Sequence, residues 1–289
     1  MFNPEKNREV NKLKIEDRVE KIVSDAVMDH PPLDYFKKLD KYNSEEIDRD
    51  KSILEKIEDD FEEGGERGEA MEIILADLLD RWFETEDMEV ITQRTTKFDD
   101  VVNGVDVIVE FKTPDSIEKT ALAVDASLSH SRIGEKLKKC YNKVAGEDKN
   151  FQVKYFQGQF ENKKGEYPHG PLKTVVPMVV GLDCRNANKL FKEFSDYLIS
   201  RERSKKEGEL KIKKIESDSV KKIFMIQIKK QLDFYIKNSE NLNSKMISEI
   251  KKIRSIVERI SIEMEDIVCD FRQKDDWVLE EIEKFTDRG

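Results

Sequence analysis

An α/β fold, a mixed sheet flanked by helices, is predicted by three features of the chain. Met71, Ile74, Leu75, Leu78, Leu79 and Trp82 recur at helical spacing on one broad apolar face. Segments rich in β-branched residues follow: Glu89 to Thr96, Gly104 to Phe111 and Thr120 to Ser127, then Phe151 to Phe156 and Thr174 to Leu182. Helical patterns at Ser131 to Ala145 and Asn186 to Leu198 separate or follow these strands. The order helix, three strands, helix, two strands, helix is that of a mixed sheet covered by helices.

Ahead of this block, Asn7 to Met28 reads as an amphipathic helix that His30-Pro31-Pro32 ends, since proline disfavours helix in the residue before it. A second helical stretch, Leu33 to Phe61, is interrupted near Tyr42-Asn43-Ser44, and Gly64-Gly65 closes it. Thr113-Pro114-Asp115-Ser116 is a turn that makes the second and third strands an antiparallel hairpin. Thr174 to Leu182 is almost continuously apolar, as in a strand buried on both faces. Past Ser200 a helix at Asp218 to Ile236 precedes a seam of Met246, Ile250, Ile253, Val257, Ile260, Met264 and Ile267. Its alternating steps of four and three are those of a helical hairpin or coiled coil, through which the chain could form a homodimer. The expected partition is an N-terminal helical extension at 1–63, a core at 64–202 and a C-terminal helical region at 203–289.

The 289 residues suffice for a full core plus an appendage, and 39% charged against 37% hydrophobic content concentrates the apolar residues in the segments just named. A net charge of -10 argues against gripping nucleic acid over the whole surface, but not against a local basic groove. Cys140, Cys184 and Cys269 are three and widely spaced, which suggests neither a disulfide framework nor a zinc site. MFNPEKNREV has no apolar signal core and no run approaches a membrane span, so a soluble, cytoplasmic protein without membrane contact is expected.

Two acids carry the chemical signal. Asp106 opens one strand of the hairpin and Asp125 lies near the end of the other, so antiparallel pairing brings both carboxylates to one end of the sheet. A carboxylate at the lip of a buried strand must be paired or metal-bound to offset desolvation. Hard cations such as Mg²⁺ take one or two carboxylates and keep water and substrate phosphate elsewhere, and can activate water toward a phosphodiester. Each aspartate could instead simply cap a turn.

Gly68-Glu69-Ala70-Met71-Glu72 on the first core helix, Gly104-Val105-Asp106 and Val124-Asp125-Ala126-Ser127 together resemble the PD-(D/E)XK nuclease superfamily. The resemblance spans roughly residues 66 to 200 and implies a restriction-endonuclease-like fold. It implies Asp106, Asp125 and the Ala126 carbonyl as ligands of Mg²⁺ or Mn²⁺, with Glu72 (ahead of Glu69) helping through water. The chain departs from the pattern where the family has lysine and Ser127 stands; Asp125 and Ser127 share a face by alternation, but a hydroxyl supplies no cation. Lys136 on the following helix and Lys154 in Gln152-Val153-Lys154-Tyr155-Phe156, read as a neighbouring strand, are candidates to replace it. Lys112 is too far along its strand.

Asp99-Asp100 could add a ligand but reads better as a turn, His130 could touch a leaving group, and His30, His169 and Cys184 suggest no site. Lys136, Lys138, Lys139, Lys143, Lys149, Lys154, Lys163, Lys164 and Lys173 form a local basic set of the kind phosphate backbones need. The expected activity is metal-dependent hydrolysis of DNA or RNA. The alternatives are a nuclease-like scaffold that binds nucleic acid or a protein without turnover, and a helical interaction protein in which the acidic hairpin is incidental.

Overall fold

The protein was analysed as a computed structural model that describes residues 14–25, 30–39, 41–58, 65–112, 120–128, 130–146, 151–161, 165–216, 219–263 and 276–287. Its centre is a four-stranded sheet in the order β1 (Glu89–Arg94), β2 (Val107–Lys112), β3 (Thr120–Ser127) and β4 (Val176–Gly181). The first two pairings are antiparallel and β3 runs parallel to β4, so the sheet is mixed and the fold is α/β. Among the described residues, four helices precede it: α1 (Ile15–Ser24), α2 (Leu33–Phe36), α3 (Ser44–Glu58) and α4 (Gly65–Phe83). The short α5 (Lys97–Val101) joins β1 to β2, and α6 (His130–Ala145) lies on the crossover from β3 to β4. The described helices after β4 are α7 (Cys184–Arg203), α8 (Lys205–Glu216), α9 (Ser219–Lys237), α10 (Ser244–Glu263) and α11 (Trp277–Asp287).

Alternation along the strands divides the sheet into two faces. Val107, Val109 and Phe111 of β2, with Leu122 and Val124 of β3, point into the main core. There they meet the apolar stripe of α4, whose Met71, Ile74, Leu75, Leu78, Leu79 and Trp82 are all buried. At about 1.5–3 kcal/mol for each fully buried large side chain, this stripe fixes α4 against the sheet. The opposite face carries Ile108, Ala121 and Ala123, covered by Val153 and Phe156. Val179 of β4 meets Ile133 and Leu137 of α6 in a separate cluster.

The seam of α10 turns inward. Met246, Ile250, Ile253, Val257 and Ile260 are all buried in the main core, with α10 packed on α9; Met264 and Ile267 lie outside the described residues. The same core includes residues from α1, α4, the sheet and α7 through α10, and so draws on all three segments of the expected partition.

The free edge of β4 is covered by side chains of a helix. Gln231 donates to the Val179 carbonyl at 2.7 Å and accepts from its N–H at 3.0 Å. Gln227 does the same for Gly181 at 2.8 and 3.0 Å. Four residues of helix rise about 6.0 Å and two residues of strand about 6.6 Å, so amides at i and i+4 match alternate strand positions. The next outward position is Pro177, which has no N–H; facing its carbonyl is a pure donor contact, the Tyr235 hydroxyl at 3.1 Å. A helix thus closes an edge that would otherwise invite another strand.

One expected strand does not join the sheet. Phe151 to Phe156 forms instead an irregular arm with isolated bridges Val153↔Leu172 and Gln157↔His169. Side chains take its backbone groups: Asp99 accepts from the N–H groups of Lys154 at 2.7 Å and Tyr155 at 2.9 Å. The Tyr42 hydroxyl bonds both the N–H and the carbonyl of Phe156 at 3.0 Å. Other boundaries moved by a few residues, and α5 stands where a polar turn was expected. The turn at Thr113-Pro114-Asp115-Ser116 lies outside the described residues.

Candidate active site

The β2–β3 register, Val107↔Val124 through Phe111↔Thr120, brings Asp106, the residue before β2, beside Asp125 at the end of the hairpin. The Asp106 N–H donates to the Val124 carbonyl at 2.9 Å, one residue out of the strand register, so the regular ladder ends at Val107. Alternation along β3 puts Asp125 on the face carrying Ala123 and Ile108. The Asp106 carboxylate accepts from the Ala126 N–H at 2.6 Å. Both aspartates are buried, at 5% and 9% exposure.

Gly104 makes this end of the strand possible. Its φ of 59° is left-handed, and a Cβ there would lie 3.7 Å from the Lys143 ammonium and 3.8 Å from the Asp125 carboxylate. Glycine is the residue that adopts this conformation without penalty while leaving the approach open.

The cation comes from α6. Lys136 pairs with Asp125 Oδ1 and donates to the Ala126 carbonyl at 2.9 Å. Its ammonium therefore bridges the two oxygens that the sequence marked as metal ligands beside Asp106. Lys143, seven residues on and so on the same helical face, donates to the Asn103 carbonyl at 2.6 Å and lies over the Phe151 ring. Ser127 is buried at the last position of β3, beside Gly181 of β4. Lys154 is not at the site: its ammonium pairs with Asp50 and Glu46 of α3, because the arm that carries it packs over the sheet instead of extending it. Lys112 pairs with Glu89 at 2.8 Å.

Glu72 approaches from the other side of the sheet end. It accepts from Arg94, the last residue of β1, at 2.9 Å, and Arg94 also donates to His30 Nε2 at 2.7 Å. His30 Nδ1 faces the Thr95 carbonyl at 2.8 Å, which makes Nδ1 the protonated nitrogen and Nε2 the acceptor. His30, Glu72 and Asp100 could group ligand atoms around a metal ion. The Arg94 guanidinium already lies between two of them, so the trio works as the surround of an ion pair.

Asp99 and Asp100 divide their work. Asp99 is fully buried and, besides the arm, accepts from Asn103 at 2.6 Å and Thr96 at 3.1 Å, so it is structural. Asp100 pairs with Lys97 at 3.0 Å and contributes to the field at Glu72, Asp106 and Asp125. In the sequence Asp100 reads as a turn residue and His30 as a residue of no site, and Arg94 carries no signal. Lys143 was readable from its spacing to Lys136.

Electrostatics concentrate at Asp106. Burial, then the charges of Asp125, Glu72 and Asp100, push its carboxyl well above the ordinary range. Burial also raises Asp125, against the pull of Lys136. Glu72 is raised by burial and Asp100. Burial acts against the charge on Lys136, but Asp125 and Asp106 outweigh it and its pKa rises. His30 is lowered by burial and by Arg94, which keeps it neutral. The donor set of Asp106, Asp125 and the Ala126 carbonyl is all oxygen, which suits a hard divalent cation, and the Lys136 ammonium already rests on two of these oxygens.

Comparisons with protein-family models, curated proteins and solved structures find no match. Of the expected basic set, Lys138, Lys139 and Lys173 are exposed, whereas Lys149, Lys163 and Lys164 lie outside the described residues, as does the His130 side chain. Among the described residues no helix is long and apolar enough to cross a membrane.

Proposed function

We propose that the protein is a metal-dependent nuclease of restriction-endonuclease-like architecture that hydrolyses phosphodiester bonds in DNA or RNA. One observation carries the reading: a cationic ammonium, Lys136, sits on the Asp125 carboxylate and the Ala126 carbonyl, with Asp106 beside Asp125 at the end of the hairpin. That supplies the positive charge which the Ser127 replacement removes from the strand.

Asp106, Asp125 and the Ala126 carbonyl would hold Mg²⁺ or Mn²⁺, which supplies Lewis-acid polarisation of the phosphoryl group and a more acidic water. The Ala126 N–H fixes the rotamer of Asp106 toward Asp125. Lys136 stabilises charge developing on the phosphate, as a preorganised cation does without reorganising during reaction. Glu72, oriented by Arg94, is placed to accept a proton from water at the edge of the site. Lys143 and the exposed Lys138 and Lys139 lie on the same helix and offer contacts to the flanking phosphates.

The test is incubation of labelled single- and double-stranded DNA and RNA with Mg²⁺, Mn²⁺ or EDTA. Cleavage is expected only with metal, and Asp106→Ala or Asp125→Ala should lower it at least about 100-fold. Cleavage unaffected by EDTA or by both substitutions would refute the reading. Metal-dependent binding of nucleic acid without turnover would favour the scaffold alternative.

A further inference from the structure

A cavity of about 270 Å³ lies over β1 and β2, and its lining reaches Thr95 and Ile108, two neighbours of Asp106. Its floor is Gln93 and Thr95 of β1 with Ile108 of β2; its walls are Tyr35 and Phe36 of α2 and Phe156 of the arm. Ile108 is two residues from Asp106 along the chain, a separation of about 7 Å in extended backbone. Thr95 ties the two places together, since its N–H donates to the Asp106 carbonyl at 3.0 Å.

We propose that this cavity seats one nucleobase of the strand being cut, beside the carboxylate pair; the proposal rests on the nuclease reading above. Three features of the lining select such a ligand. First, aromatic rings face the space: Tyr35 and Phe36 meet edge to face with centroids 5.4 Å apart, and Tyr35 is 41% exposed at the rim. A base offers flat π faces to such rings whatever its identity.

Second, the polar groups are primary amides that present donors and acceptors together. Gln159 Nε2 donates to Gln93 Oε1 at 3.2 Å, and Gln93 Nε2 donates to the Gln157 carbonyl at 3.1 Å. The Tyr35 hydroxyl donates to Gln157 Oε1. The two exposed bonds, Gln159 to Gln93 and Tyr35 to Gln157, can be exchanged for the edge of a base, as amide side chains read base edges elsewhere.

Third, the one charged residue of the lining, Arg94, is already paired. Glu110 is buried behind Gln93, whose Nε2 it accepts at 3.3 Å, and Arg94 is engaged by Glu72 and His30. The phosphate is thus directed to the cationic side of the site and the neutral base to this one. A volume near the small end of ligand pockets suits one base better than a dinucleotide.

The experiment is calorimetric titration of the full chain with adenosine, guanosine, cytidine and thymidine in EDTA, with ribose and inorganic phosphate as controls. At least one nucleoside should bind with a Kd on the order of a millimolar. Tyr35→Ala should weaken it at least about fivefold, whereas Tyr35→Phe keeps the ring and should retain binding. Gln159→Ala, at an exposed position, should change the preference among the four nucleosides. No nucleoside binding at millimolar concentration, binding indifferent to Tyr35→Ala, or tighter binding of ribose or phosphate would overturn the proposal. Metal and turnover play no part in this titration, so its failure would leave metal-dependent cleavage standing, and failure of cleavage would leave nucleoside binding standing.

Discussion

At the scale of single residues, the site is a place where stability has been given up. Asp106 is buried beside Asp125, and its carboxyl is raised above the usual range by burial first and by its acidic neighbours second. A raised carboxyl binds its proton more tightly folded than unfolded. Its contribution is therefore complete below the unfolded value near 4 and is lost as pH rises through the folded value. Asp106→Asn keeps the acceptor for the Ala126 N–H and removes the charge. Thermal melts in EDTA should show this variant gaining on the unmodified protein as pH rises through that window, by about 2–4 °C for each kcal/mol relieved. A difference independent of pH would place Asp106 in a charge-neutral setting. Lys136→Met should act oppositely, because it leaves Asp125 buried without its partner. A cost of about 2 kcal/mol is expected near neutral pH, below that of a fully buried pair because the lysine side chain is 26% exposed. Denaturant titration measures it.

The elements explain what could and could not be read in advance. The hairpin was readable because its signals are local: β-branched runs, a Pro-Asp turn and an acid at each matching end. The register then followed, and with it the meeting of Asp106 and Asp125. The 151–156 arm has the same local signals but does not become a strand, because Asp99, more than 50 positions away, takes its N–H groups. No window along the sequence contains that competition. The same error misplaced Lys154, while Lys136 could be found because helical spacing from a known helix start is local. Gln227 and Gln231 were likewise unread, as their meaning depends on which strand α9 lies beside. Gln231→Leu removes both partners of the Val179 peptide and should cost about 2–4 kcal/mol, seen as a lower midpoint in urea. A change under about 0.5 kcal/mol would mean that the β4 edge finds other partners.

For the whole molecule, charge is the organising quantity. The chain carries a net -10, yet Lys138 and Lys139 are exposed on α6, the helix that also carries Lys136, and Lys173 is exposed just before β4. Binding of an oligonucleotide should therefore depend only moderately on salt. With Lys138, Lys139, Lys143 and Lys173 as contacts, log K against log salt should have a slope no steeper than about -4. A much steeper slope would require a second basic surface.

The most direct measurement is the anomalous signal from Mn²⁺ soaked into crystals of the protein. The expected result is a cation between Asp106 and Asp125, within about 2.3 Å of both carboxylates and of the Ala126 carbonyl, with the Lys136 ammonium moved off those oxygens. An ion bound only at His30, Glu72 and Asp100, or no ion at saturating Mn²⁺ with Lys136 unmoved, would contradict it.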